Sequence, residues 1–320
     1  SNLRQSPLPS IVQSSFGCPM LAVFQPERVH FVDTALLRVE VHEWGPSQGR
    51  PVVLLHGWPD SARTWSDLAP ALAAQGRRVI VPSLRGYAGT RFLDSNTPRS
   101  GQLSALAQDT IDLADALGIA RFDVVGHDWG ARAAYISSAL WPNRVERCVT
   151  MAVGWGTNQP DQPLSYVQAH NYWYHWLMHT PRGADAVRND RVGITRYLWK
   201  VWAPSWTIDE DEFMATAQAF NNPDWADVVL HSYTHRWGSA PSDPRYDALE
   251  QRLKNPPVIR VPTMLLHGDE DGANGLPTSE GRESLFSGGY ERIVLKRCGH
   301  FPQREFPAEV NAAVLRFLGS

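Results

Sequence analysis

The sequence has little of what marks several large classes of protein. Its three cysteines, Cys18, Cys148 and Cys298, are too few and odd in number for a disulfide framework, which favours a reducing compartment. Because no apolar stretch is long enough to span a membrane, a cytoplasmic protein is expected, although a signal peptide removed before Ser1 would leave no trace. The formal net charge of −3, without a basic run, argues against nucleic acid as a partner.

What the sequence does contain is enough apolar material for a large core. Of its 320 residues, 43% are hydrophobic and 20% are charged. A chain of this size and composition can bury the core of one domain that carries an inserted segment, and this fits better than two domains in sequence.

The segment around Asp128 is the most informative in the chain. An apolar run at 122–125 leads into Gly-His-Asp-Trp-Gly at 126–130, and good helix formers follow at 131–136, which predicts a strand, a tight turn and a helix. In many hydrolases such a turn presents a serine nucleophile, whereas a carboxylate here could attack carbon without a base and form an ester. The alternative is an aspartate that merely caps the following helix.

Three further segments place chemical groups beside such a nucleophile. A buried strand at 51–55 ends in His56-Gly57-Trp58-Pro59, where the backbone N–H groups of Trp58 and Trp129 could form an oxyanion hole. A second buried strand from about residue 261 ends in an acidic run, of which Asp271 is far enough past the strand to orient a histidine. His300 follows a last strand at 292–296 and precedes a closing helix from about 307 to 317.

These four segments resemble the α/β-hydrolase superfamily, and within it the epoxide hydrolases and the haloalkane dehalogenases, which share an aspartate nucleophile. The resemblance runs from about Glu27 to Phe317. Residues 56–59 look like the His-Gly-x-Pro motif of epoxide hydrolases, whereas the turn at Asp128 occurs in both groups. The implied fold class is α/β, an α/β-hydrolase fold with a mostly parallel sheet flanked by helices and an inserted helical cap. No cofactor and no metal are implied.

The inserted segment decides between the two groups. Helical patterns rich in aromatic residues fill the stretch between Gly154 and Val261, which is too long for a simple crossover and typical of a lid. We predict a core formed by 1–154 and 246–320 and a cap formed by 155–245. In epoxide hydrolases such a cap supplies two tyrosines that protonate the epoxide oxygen.

The resemblance points to Tyr174 and Tyr233 as these two tyrosines. Tyr174 lies in an aromatic run shortly before Pro181, and Tyr233 begins a Tyr-x-x-Arg sequence. Because residues two apart face different sides of a helix, Tyr172 and Tyr174 are not expected to reach the same cavity.

Two other functions remain open from the residues alone. A haloalkane dehalogenase would need indole N–H donors for a halide, and Trp129 with Trp173 or Trp176 could supply them. Against it, Trp58 stands where many dehalogenases place an asparagine. The other alternative is a non-catalytic hydrolase-fold protein that binds a ligand, although every candidate catalytic residue is present.

The expected function is therefore that of an epoxide hydrolase that acts on a small-molecule apolar or aromatic epoxide. A homodimer is compatible with the sequence.

Two pairs of histidines lie four residues apart, His175 with His179 and His231 with His235. Both pairs lack the glutamate of a His-Glu-x-x-His zinc motif, so hydrogen bonding or surface solvation is expected of them. The residues expected to contact the substrate are His56, Trp129, Trp173 and Trp176.

Overall fold

The computed structural model describes residues 23–159 and 161–319. Its strands are β1 (Arg28–Asp33), β2 (Leu37–Trp44), β3 (Pro51–Leu55), β4 (Arg78–Pro82), β5 (Arg91–Phe92), β6 (Phe122–His127), β7 (Val145–Met151), β8 (Thr263–Gly268) and β9 (Tyr290–Leu295). Cys18 and the amino-terminal stretch lie outside the described residues.

Helices alternate with the later strands. They are α1 (Leu68–Ala74), α2 (Leu103–Ala116), α3 (Trp129–Leu140), α4 (Tyr166–Asn171), α5 (Trp173–Leu177), α6 (Pro181–Asn189), α7 (Arg191–Trp202), α8 (Glu210–Ala217), α9 (Trp225–Arg236), α10 (Asp247–Leu253), α11 (Pro302–Glu305) and α12 (Pro307–Gly319). Within the described ranges, none of these helices is long and apolar enough to cross a bilayer.

The sheet is mostly parallel, as the sequence predicts. Its strand order is β1-β2-β4-β3-β6-β7-β8-β9, with β5 beside β2, and every pairing from β4 onward along this order is parallel. Leu55 pairs with Gly126, and Met151 pairs with both His127 and Leu266, so β3, β6 and β8 end at one edge. The loops that carry Trp58, Asp128 and Asp271 therefore meet there.

The predicted strands are found with small changes at their ends. The strand at 51–55 matches β3, whereas the strand expected from about residue 261 begins at Thr263. Pro262 precedes it and has no backbone N–H for the ladder, which explains the later start.

Seven helices of the described chain, α4 to α10, lie between β7 and β8; α4 to α9 fall within 155–245, where the sequence predicts the cap, and α10 falls in the segment predicted to belong to the core. They are joined to the sheet by polar contacts. Arg304 of α11 contacts Asp60, which follows β3, at 2.6 Å and Glu212 of α8 at 3.2 Å. The indole of Trp199 donates to the carbonyl of Pro59 at 2.8 Å. These contacts fix the helices over the edge where the loops meet.

Candidate active site

Asp128 sits on a strained turn between β6 and α3. Its φ of 54° and ψ of −115° lie outside the regions that ordinary residues occupy, a strain that costs about 1–3 kcal/mol and tends to occur at functional sites. The flanking glycines are required by close approach, because a Cβ atom on Gly130 would lie 2.1 Å from the carbonyl oxygen of Leu55. The side chain makes no helix-capping hydrogen bond, so the capping alternative is wrong.

The two carboxylate oxygens of Asp128 have different neighbours. Oδ1 accepts a hydrogen bond from the backbone N–H of Trp58 at 2.9 Å, and Oδ2 lies 3.3 Å from Nε2 of His300. Burial disfavours the charged carboxylate, but the positive charge of His300 and the Trp58 N–H together hold the pKa of Asp128 below its usual range. Asp128 is therefore ionised at neutral pH and can act as a nucleophile.

His300 lies between two carboxylates. Its Nδ1 is 2.9 Å from Oδ2 of Asp271, and Asp271 also accepts backbone hydrogen bonds from Ala273 and Asn274 at 2.8 and 2.9 Å. Burial favours a neutral imidazole, but the charges of Asp271 and Asp128 outweigh it and raise the pKa of His300 to about 10. At neutral pH this pKa favours an imidazolium in the resting site.

One carbonyl of the cap supports both loops that carry these groups. The oxygen of Trp202, at the end of α7, accepts hydrogen bonds from the backbone N–H of His300 at 3.0 Å and of Gly272 at 3.1 Å. Sequence reasoning did not identify this residue, because a backbone carbonyl can serve whatever side chain it belongs to.

Tyr174 and Tyr233 lie together on the cap side of the site. Their ring centroids are 5.4 Å apart, and each ring packs against that of Trp58, at 5.8 and 5.2 Å. The hydroxyl of Tyr233 accepts a hydrogen bond from the indole N–H of Trp129 at 3.0 Å. Burial and then the charge of Asp128 raise the pKa of Tyr233, and burial raises that of Tyr174, so both remain neutral proton donors.

Tyr172 is also buried, and its ring lies 6.4 Å from that of Tyr174. The helix is interrupted at Tyr172, between α4 and α5, so the spacing argument for a continuous helix does not apply. Its hydroxyl lies 2.7 Å from Oδ1 of Asn274 and 3.2 Å from Oδ1 of Asn158. Tyr172 is thus engaged in the protein, whereas the hydroxyl of Tyr174 makes no hydrogen bond within the described residues.

Two of the residues expected to contact substrate are His56 and Trp176. Nε2 of His56 accepts from the backbone N–H of Leu84 at 3.1 Å and Nδ1 donates to the carbonyl of Gly57 at 3.0 Å, so His56 holds the loop before Trp58. Trp176 is 37% exposed and donates to the carbonyl of Ala169. The polar atoms of both residues therefore bind backbone, and their contact with substrate stays a prediction.

The other two residues expected to contact substrate, Trp129 and Trp173, border the site but are partly held by protein partners. Trp129 stacks near Trp58 with a centroid distance of 6.5 Å, but its indole N–H is committed to Tyr233. Trp173 packs edge-on against Tyr174 at 6.1 Å and against Tyr197 at 5.8 Å, so it borders the site through Tyr174.

His175 is a buried residue whose position the sequence did not reveal. Its ring stacks on that of Tyr172 at 4.1 Å, and its Nδ1 accepts from the indole of Trp237 at 2.9 Å. Burial, followed by the charges of Arg236 and Arg132, lowers its pKa well below the usual value. The spacing to His179 suggested a shared helical face, but His179 instead contacts the carbonyl of His175. Neither histidine pair belongs to a metal-binding group in the part of the chain that the structure describes.

Comparison with known proteins agrees with this geometry. A family model described as the α/β hydrolase fold matches residues 50–307. Epoxide hydrolase 2 of Siraitia grosvenorii is 31% identical over 319 residues, which cover 91% of this chain and 99% of that protein. Epoxide hydrolase A of Mycobacterium tuberculosis is 27% identical over 316 residues, covering 90% and 96% of the two chains.

Solved structures point the same way. A crystal structure from Klebsiella pneumoniae, provisionally named an epoxide hydrolase, has a TM-score of 0.84 and 38% sequence identity, and the match covers 91% of this chain and 97% of that one. The fold, the strained aspartate turn and these similarities agree, and the chain therefore belongs to the α/β-hydrolase family, among its epoxide hydrolases.

Proposed function

We propose that this protein converts epoxides to vicinal diols through a covalent ester on Asp128. One observation carries the proposal. Two buried, neutral tyrosines, Tyr174 and Tyr233, pack on the ring of Trp58, whose backbone N–H is bonded to the carboxylate of Asp128. The opening of an epoxide needs a nucleophile and, close to it, phenolic groups that can donate a proton.

In the first half-reaction Oδ2 of Asp128 attacks an epoxide carbon. Oδ1 is bound to the Trp58 N–H and becomes the carbonyl oxygen of the ester. As the C–O bond of the ring breaks, the electron pair stays on oxygen and takes a proton from Tyr174 or Tyr233. Because Tyr233 accepts the Trp129 N–H, its own O–H is left to donate to the substrate.

In the second half-reaction the His300 imidazolium first returns a proton to the tyrosine that protonated the alkoxide. The neutral imidazole then removes a proton from water, whose oxygen attacks Cγ of Asp128, and the charge that develops on Oδ1 is proposed to be held by the backbone N–H groups of Trp58 and Trp129. Collapse of this intermediate breaks the bond between Cγ and the alkyl oxygen, which takes a proton from His300 and leaves as the diol. The proton of the new carboxyl group passes to His300, which restores the carboxylate and the imidazolium. Asp271 keeps the imidazole oriented and stabilises its positive charge.

The same nucleophile could serve a dehalogenase, but the indole donors are largely engaged. Trp129 donates to Tyr233, and Trp176 donates to a backbone carbonyl. Tyrosine hydroxyls that retain a proton suit an alkoxide that must be protonated, whereas a halide leaves without a proton. We further propose that residues 155–245 act as the lid over an apolar or aromatic epoxide, and that the protein works in the cytoplasm, where Cys148 and Cys298 would stay reduced.

Oxygen labelling tests the covalent route directly. In a single turnover in water enriched in oxygen-18, we expect the label to enter the carboxylate of Asp128 and not the diol, because the first diol oxygen comes from Oδ2. Mass spectrometry of the peptide that contains Asp128 and of the product measures both. Label in the diol after one turnover would instead mean direct attack by water.

The hydrogen bond between Trp129 and Tyr233 leads to a second prediction. Trp129→Phe keeps an aromatic ring but removes the N–H that fixes the Tyr233 hydroxyl, so ring opening should slow by about tenfold, the equivalent of about 1.4 kcal/mol. Stopped-flow measurement of the first half-reaction gives the rate. Trp176→Phe is the matched control, since it removes an exposed indole that donates to backbone. Equal rates in the two variants would contradict the role of Trp129.

The environment of His300 leads to a third prediction, on pH. The resting pKa of about 10 depends on two carboxylates, and formation of the ester removes the charge of Asp128. The pKa of His300 should therefore fall below 10 in the intermediate, and hydrolysis of the ester should speed up with rising pH because the base must be neutral. Rapid mixing from pH 5 to 9 measures this, and a rate that declined with pH would contradict the assignment of the base.

A further inference from the structure

A cavity of about 320 Å³ beside the site is lined by two arginines that make no ion pair with a carboxylate of the described residues. We infer that this cavity binds a carboxylate attached to an apolar chain, held by Arg132 and Arg236. The cavity is bordered by α2, by α3, by the chain after β7, and by the ends of α9 and α10.

Neither guanidinium has an acidic partner among the described residues. Arg132 is only 9% exposed. The single hydrogen bond of its guanidinium within the described residues runs from Nη1 to the hydroxyl of Thr157 at 3.1 Å. Nε of Arg236 is buried without an acceptor, while its Nη2 donates to Ser232 at 3.3 Å.

Other buried arginines of this protein are paired. Arg85 binds Asp109, and Arg304 binds Asp60 and Glu212. An unpaired buried charge is costly, so the buried Arg132, next to a partly buried Arg236 whose Nε has no acceptor, indicates that their anion comes from a ligand.

The remaining lining defines the kind of anion. Leu103, Ile136, Trp155 and Leu253 give the cavity apolar walls, and Lys254 adds a further positive charge. Glu250 is the one carboxylate among the lining residues, and its Oε1 is bound to Gln102 and Ser104. A single negative charge on an apolar chain matches this lining better than a phosphate, because Glu250 would repel a dianion more strongly.

The cavity lies one helical turn from the reacting groups. Arg132 follows Asp128 by four residues, and its backbone N–H donates to the carbonyl of Asp128 at 3.1 Å. Arg236 follows Tyr233 by three residues, and its guanidinium lies over the Tyr233 ring at 4.8 Å. One turn of helix rises about 5.4 Å. If the protein is an epoxide hydrolase as proposed, a carboxylate bound here belongs to a substrate whose epoxide lies a few bonds away.

The first experiment compares acids with their neutral esters. We expect 5,6-epoxyhexanoate or 7,8-epoxyoctanoate to have a kcat/KM about 10-fold to 100-fold above that of its methyl ester, the range for a hydrogen bond to a charged group. Arg236→Met and Arg132→Met should bring this acid-to-ester ratio toward one. Because the ratio cancels a general loss of activity, it remains informative in a weakened variant.

Arg188→Met is the matched control, since Arg188 is half exposed and pairs with Asp227 at 2.7 Å on the outer surface of the cap. It should leave the ratio as in the wild type. A wild-type ratio near one for both chain lengths would contradict binding of a substrate carboxylate, and so would a high ratio that both Met variants retain.

Calorimetry with octanoate separates the two sources of the carboxylate and needs no turnover. If octanoate binds about tenfold or more weakly to Arg236→Met than to the wild type, the result supports the carboxylate site. If the acid-to-ester ratio is at the same time near one, the carboxylate belongs to a separate ligand and not to the substrate. Absence of both octanoate binding and acid preference would overturn the inference. Octanoate binding without hydrolysis of any epoxide would instead refute only the proposed function.

Discussion

The His300→Gln variant is expected to accumulate the covalent ester when it is given an epoxide. Asp128 should still attack, because Oδ1 is still held by the Trp58 N–H, although loss of the His300 charge raises the pKa of its carboxyl group relative to the wild type. Hydrolysis of the ester stops, because the side chain that removes the proton from water is gone. Intact-protein mass spectrometry should show an adduct equal to the whole mass of the epoxide, since ring opening expels nothing.

The adduct also distinguishes the alternatives. A haloalkane would add its mass less that of the hydrogen halide, and a non-catalytic protein would add nothing. Asp128→Ala is the control, because it removes the nucleophile and should remain unmodified under the same conditions. An adduct mapped to another peptide, or no adduct across a panel of epoxides and haloalkanes, would refute an aspartate nucleophile.

Removal of the two phenolic protons should have the second large effect. Tyr174→Phe or Tyr233→Phe alters little volume but removes a proton donor, so ring opening should slow by roughly 10² to 10⁴, less where the partner compensates. The double variant should be almost inactive. Tyr233 should matter more, because Trp129 fixes its hydroxyl whereas that of Tyr174 has no protein partner within the described residues.

Tyr172→Phe is the matched control for these variants. Tyr172 is equally buried and its ring lies 6.4 Å from that of Tyr174, but its hydroxyl is bound to Asn274 and Asn158. It should affect stability more than the rate of ring opening, measured by stopped flow. Full activity in the double Tyr174 and Tyr233 variant would remove the basis of the epoxide assignment and favour the dehalogenase.

The sequence predicted those features that depend on short segments. The order of strand, turn and helix around Asp128 was predictable because the glycines and the apolar run lie within a dozen residues, and the structure has β6, the strained turn and α3 there. Asp271 and His300 were predictable because each follows a strand of the sheet, and parallel strands end at the same edge.

Features that depend on long-range contacts were not predictable. The orientation of an indole depends on the acceptor of its N–H. Trp129 donates to Tyr233 and Trp176 donates to the carbonyl of Ala169, and residue spacing predicts neither hydrogen bond. The charge of His300 likewise follows from two carboxylates, of which one is 172 residues away in the chain. His56 shows the same limit, because its partner Leu84 belongs to a different loop.

The carbonyl of Trp202 has a consequence for how such proteins can be recombined. It ends a cap helix, yet it receives the N–H groups of His300 and of the residue after Asp271. A chimera that takes these helices from a relative would therefore keep its base and acid in place only if α7 ended at the same position, whichever residue supplied the carbonyl. A graft that lengthened or shortened the last turn of α7 should change turnover as well as substrate choice, which makes the length of that helix a requirement of the catalytic groups.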